Sequence, residues 1–170
     1  NKSRRRIRED TLQTPRRDGA APTLVNMAFT GGIGLAYLLA LYPFGVRLNG
    51  PLVCCVLSMT GFAAFGKHPK NILPVMAGAC LAKALLVAVP FTAPGPLLAV
   101  LFCTGLAPIA GQFGVFWGMV AGFPHMTIVQ NTSILHGGMN LYNNGFAAGL
   151  VCVLLLPIIE ALRSRSKEEP

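Results

Sequence analysis

Apolar residues fall in long, nearly unbroken runs along this chain, and neither the strict alternation of a half-buried strand nor the three-four spacing of a one-sided helix governs them. The runs cover about 24–43, 51–65, 72–91, 97–110, 113–129 and 146–162. A helix rises 1.5 Å per residue, so about 20 apolar residues cross a hydrocarbon layer of about 30 Å. The first and third runs reach that length, and the fifth and last come close. Segments 51–65 and 97–110 are short enough to read as half-helices or re-entrant elements, which membrane depth tolerates only where protein or a cavity surrounds them. The breaks carry turn chemistry: YPFGVRLNGP closes the first run, GKHPKN the second and TAPGP the third. The pattern predicts an all-α fold, a polytopic transmembrane helical bundle of about six membrane segments.

Composition agrees. Hydrophobic residues make up 53% of the 170 and charged residues 12%, with a mean hydropathy of +0.57, against about 25% charge in an ordinary soluble domain. The charges are also segregated. Seven basic residues crowd the first 17 positions, and Arg163, Arg165 and Lys167 close the chain. Three parts follow: a basic arm or linker over 1–22, a helical membrane domain over 23–162, and a short charged tail over 163–170. The net charge of +8 raises nucleic acid as a partner, but basic flanks around apolar runs mark the cytoplasmic side of a membrane protein instead. With six crossings, the arm, the Lys67/Lys70 loop and the tail all fall on that side, leaving only Arg47 outside among the loop cations. The expected location is the cell (plasma) membrane, with both ends of the chain cytoplasmic and the lipid bilayer as the first partner. The first 22 residues lack the apolar core and cleavage site of a signal peptide.

Charge patterning also limits the chemistry. No Asp or Glu occurs between Asp18 and Glu160, yet Lys83 stands inside the third run. An intramembrane cation marks a functional-site candidate. Three readings stay open for it: attracting an anion in a cavity, bonding to backbone carbonyls, or snorkelling toward the headgroups. The five cysteines, Cys54, Cys55, Cys80, Cys103 and Cys152, lie in apolar segments without paired spacing, so neither a disulfide framework nor a zinc site is expected. Enzyme chemistry is not expected either: no GxSxG or HExxH occurs, and the apolar stretch between Asp18 and Glu160 has no acidic pair. No metal or other cofactor is implied, and proton or sodium coupling would ordinarily use an acid that this stretch lacks.

The most polar internal passage is FPHMTIVQNTSILHGGMNLYNNGF, residues 123–146, with eleven polar side chains and no formal charge when both histidines are neutral. It suits a neutral polar ligand or hydrogen bonding between helices. The candidate solute-binding residues are Lys83, Asn49, Gln130, Asn131, His136, Asn140, Asn143 and Asn144. Asn49-Gly50 and Asn144-Gly145 each precede an apolar run, as two halves of an internal repeat would place them, although an Asn-Gly turn before a helix is common. Glycines at 31, 32 and 34, at 111, 114, 118 and 122, and at 145 and 149 read as sites of close helix packing.

The segments LNGPLVCCVLSMTGFAAFGKHPKNILPVMAG, LAPIAGQFGVFWGMVAGF and VQNTSILHGGMNLYNNGFAAGLV resemble bacterial multi-pass membrane proteins of a domain-of-unknown-function family, the fifteen-seventy-six family, over most of residues 24–162. The resemblance implies that this chain is the C-terminal part of a longer protein, whose N-terminal remainder or a second copy would be its partner. It transfers no activity and no site residue. From the residues themselves, the expected function is a permease or channel for a small polar or anionic solute. The alternative is a non-transporting assembly or signalling protein that acts through its basic cytoplasmic arm.

Overall fold

The computed structural model describes residues 20–132 and 143–168. Seven α-helices occur among them: α1 (Ala20–Ala40), α2 (Gly50–Phe62), α3 (Pro69–Leu86), α4 (Pro94–Phe102), α5 (Ala107–Phe113), α6 (Val115–Asn131) and α7 (Asn143–Glu168). A 3-10 turn over Cys103–Leu106 joins α4 to α5, so the described residues form six helical rods. Three stretches are long and apolar enough to cross a membrane: Ala21–Phe44, Pro94–Phe113 and Asn143–Arg165.

Two expectations about length are corrected. The run at 97–110 is part of a 20-residue rod, because the helix already starts at Pro94 in the TAPGP turn and continues through Gly111 and Gln112 to Phe113. The run at 72–91 stops at Leu86, where Val87 turns to extended backbone. Segment 51–65 remains short, a 13-residue helix extended by the turn Ala63–Phe65.

Local chemistry sets the ends of the rods. Asn49 is extended and its Oδ1 accepts from Leu52 N at 3.1 Å, capping α2 with Pro51 in the first turn. GKHPKN is a stop-and-restart signal. Gly66 takes a left-handed φ of 101° to end the turn after α2, Pro69 opens α3, and Asn71 Oδ1 accepts from His68 N at 2.8 Å. The Asn71 amide returns to Gly66 O at 3.0 Å, and Asn26 on α1 donates to both Ala63 O and Lys67 O. At Gly114 (φ 98°) the chain passes from α5 to α6 through a single residue, a backbone conformation that L side chains rarely adopt.

The tightest packing joins α3 and α6. A Cβ on Gly78 would stand 2.1 Å from Met119 O, and one on Gly122 would stand 2.0 Å from Val75 O. Backbone therefore meets backbone at these points, as small residues permit in membrane bundles. Gly118 fits between Ala110 and Pro74 in the same way. By contrast, a Cβ added at Gly145 or Gly149 would meet nothing within 4 Å among the described residues beyond its own stretch of helix.

The exterior is apolar and part of the interior is polar. Leu24, Phe29, Leu39, Val153, Leu154 and Ile158 are exposed on α1 and α7, while Thr30, Asn71, Lys83, Thr104, His125 and Asn143 are buried. A water-soluble bundle shows the opposite arrangement. With the three long apolar stretches, it identifies a helical protein suited to a membrane. Asn71, Lys83 and His125 lie on the interior helices α3 and α6, where protein, not lipid, surrounds them.

Candidate functional site

The site begins with a proline inside a helix. Pro124 has no N–H to give to the ladder, and Thr127 Oγ1 donates to the Pro124 carbonyl at 2.9 Å. The helix nevertheless continues to Asn131, so the first part of the polar passage is α6 itself. That presents His125, Gln130 and Asn131 from a regular helix rather than from a loop.

His125 is fully buried, with 0% exposure. Its Nε2 lies 3.2 Å from Asn144 O in the first turn of α7. A carbonyl only accepts, so Nε2 carries the proton, and in the neutral ring Nδ1 is a bare acceptor. Nδ1 is buried and has no partner among the described residues, and the same is true of Asn144 Oδ1. Asn143 beside it is buried as well. Each unmet acceptor carries a desolvation penalty of about 1–3 kcal/mol, and both belong to residues that meet where α6 touches α7. Thr30 Oγ1 and Tyr37 Oη on α1 also lack partners among the described residues. A hydroxyl both donates and accepts, so neither selects a ligand by polarity.

The other candidates have local duties. Lys83 is buried, at 5% exposure. Its Nζ donates to Val87 O at 2.7 Å and stands 4.8 Å from the centre of the Phe91 ring. Val87 is the C-terminal cap of α3, so the ammonium serves the negative end of its own helix and the π face of an aromatic ring. Of the three readings left open, the geometry matches bonding to a backbone carbonyl. Asn49 is exposed and caps α2. Asn131 is exposed and donates to Thr127 O at 2.8 Å. Gln130 lies against Gly95, its Oε1 3.1 Å from where a Cβ on that glycine would be. His136 and Asn140 lie outside the described residues. Thus Asn143 and Asn144 come together with His125, while Lys83 shares no hydrogen bond with them.

His125 is the residue missing from the expected site. Its signal was present in the sequence, as a histidine directly after Pro124 within an otherwise apolar and acid-free run. Its partner across the helix contact was not.

A second polar place lies at the other end of α3. Lys67 Nζ donates to Thr104 Oγ1 at 3.3 Å and stands 4.9 Å from the Phe62 ring centre, while Thr104 Oγ1 donates to Leu101 O at 2.7 Å. Burial pushes the Lys67 amine down to about 8. Arg163 near the end of α7 covers the Phe113 ring at 4.8 Å, and Phe113 is the last residue of α5. No group of three or more His, Cys, Asp or Glu among the described residues is arranged to hold a metal ion.

A sequence model of the family described as "Protein of unknown function (DUF1576)" matches residues 7–161. No curated protein and no solved structure matches the chain.

Proposed function

The chain belongs to the DUF1576 family, and we propose that it is a non-enzymatic permease or channel for a small polar solute in the cell membrane. The observation that carries this reading is the pair of buried, unmet acceptors, His125 Nδ1 and Asn144 Oδ1, on two helices that touch. Polar atoms are retained inside an apolar bundle when a ligand or a pathway uses them. The proline inside α6 and the backbone-close contact of α6 with α3 suit the tightly packed core of a transporter.

Of the two solute classes expected from the sequence, polar and anionic, the geometry favours the first. The ammonium that would attract an anion already serves Val87 O and Phe91. Asn26 and Lys67 meet at one end of the bundle. By the distribution of basic residues, we place that end, the arm and the tail in the cytoplasm. The exposed apolar faces of α1 and α7 leave room for lipid, for the N-terminal remainder of a longer chain, or for a second copy.

Uptake into proteoliposomes holding the full-length protein tests the proposal, using a panel of neutral, anionic and cationic small solutes. Flux of a neutral polar solute that falls about tenfold in Asn144→Leu, the loss expected for one hydrogen bond, supports it. Absence of flux across the panel sinks it and leaves the assembly or signalling reading, in which the basic arm is the working part.

A further inference from the structure

We infer that the ligand held between α6 and α7 is uncharged and is recognised as a hydrogen-bond donor, through two N–H or O–H groups offered to His125 Nδ1 and Asn144 Oδ1. This is the chemistry of a small polyol or a urea-like amide, and the inference rests on the permease reading of the same contact.

The argument proceeds from what the two atoms lack. Nε2 is committed as a donor to Asn144 O, so Nδ1 of the neutral ring only accepts. Asn144 Oδ1, an amide oxygen, also only accepts. Both are buried and unpartnered among the described residues. A deprotonated anion brings further acceptors and worsens the mismatch. A cation would have donors, but no Asp or Glu lies anywhere from residue 19 to 159 to balance it, and Lys83 adds positive charge within α3. A purely apolar solute would leave both acceptors bare. What remains is a neutral molecule with two donors. A site built on such bonds rejects analogues that lack them, because its own buried groups would stay unpaired.

Nitrogen NMR of full-length protein labelled with 15N-histidine, in lipid nanodiscs, reads this directly. The His125 signals are assigned by their loss in His125→Phe, or by the response to Asn144→Leu if that variant does not fold. Glycerol or urea should move the His125 Nδ1 resonance saturably. Nitrate, methylammonium and 1,2-dimethoxyethane, a diether with oxygens but no donors, should not. Asn144→Leu should raise the half-saturating concentration about tenfold. Absence of a shift with either donor solute, or an equal shift with nitrate or the diether, overturns the inference. A shift without proteoliposome flux keeps the ligand class and removes transport, whereas flux without a shift keeps transport and removes the ligand class.

Discussion

Replacing Gly122 by alanine places one methyl group where two helix backbones touch. The added Cβ would stand 2.0 Å from Val75 O, 2.9 Å from Val75 C and 3.1 Å from Ala79 N. Real Cβ contacts essentially never fall below 3.0 Å, so α3 and α6 must part locally by about 1 Å. All three neighbours are backbone, and no flexible side chain can swing away. Overpacking costs about 1–3 kcal/mol, and a rigid neighbour puts this site at the upper end. For a chain of this size, about 3 kcal/mol corresponds to a fall of about 6–12 °C in unfolding temperature. Trp117 is the chain's only tryptophan and lies on α6 beside Gly118, so intrinsic fluorescence in detergent follows the helix concerned. Gly149→Ala on α7 is the control, since nothing lies within 4 Å of its added Cβ among the described residues. It should stay within about 0.5 kcal/mol of the parent. An unfolding temperature for Gly122→Ala within about 2 °C of the parent, less than 1 kcal/mol, would refute the close helix contact.

Other substitutions separate structural duties from solute binding. Asn49→Ala should cost about 1 kcal/mol by removing the α2 cap, and Asn49→Ser should recover most of it; equal losses in thermal melts would show that the side chain does something else. Lys83→Met removes the bond to Val87 O and the contact with Phe91, each worth about 1–2 kcal/mol. It should therefore lower the melting temperature despite deleting a buried charge, and a more stable variant would contradict the capping role. Lys67 supplies the pH test. Its folded pKa of about 8 lies below the ordinary lysine value of 10.5, so between those values the unfolded chain binds more protons and stability rises with pH. The gain is at most about 3 kcal/mol. Lys67→Met should abolish that rise between pH 8 and 10.5 and be the more stable form below pH 8, and identical pH profiles for the two proteins would argue against the buried amine.

Much of the local order was legible. Asn49 and Pro51 and the GKHPKN restart are signals read within a few residues, and they place helix boundaries as the chain adopts them; the corner at Gly114 reads in the sequence instead as a packing glycine inside a run. The rod over Pro94–Phe113 was underestimated at its two ends, because residues 94–96 read as a turn and 111–112 as a break, whereas they form the first and last turns of the rod. Between these ends, Thr104 Oγ1 bonds back to Leu101 O and the backbone continues. The site was legible only in part. Of the candidate residues, Asn144 stands against His125, while Lys83, open to three readings in the sequence, bonds to Val87 O and lies over Phe91, four and eight residues further along its own chain.

What the sequence determined by itself is the all-α character, the number and order of the helical rods, and a stretch without Asp or Glu from residue 19 to 159. Those properties depend on composition and on contacts within one or two helical turns. The tertiary structure alone decided that α3 meets α6 at Gly78 and Gly122, that His125 faces Asn144, and that an acceptor on each of these two is left without a partner among the described residues. The physical reason is the even apolarity of these helices. A one-sided helix announces the face it will bury, but a helix apolar all round does not. Its rotation and its partner are then set by where small residues let backbones approach, a property of two distant segments together.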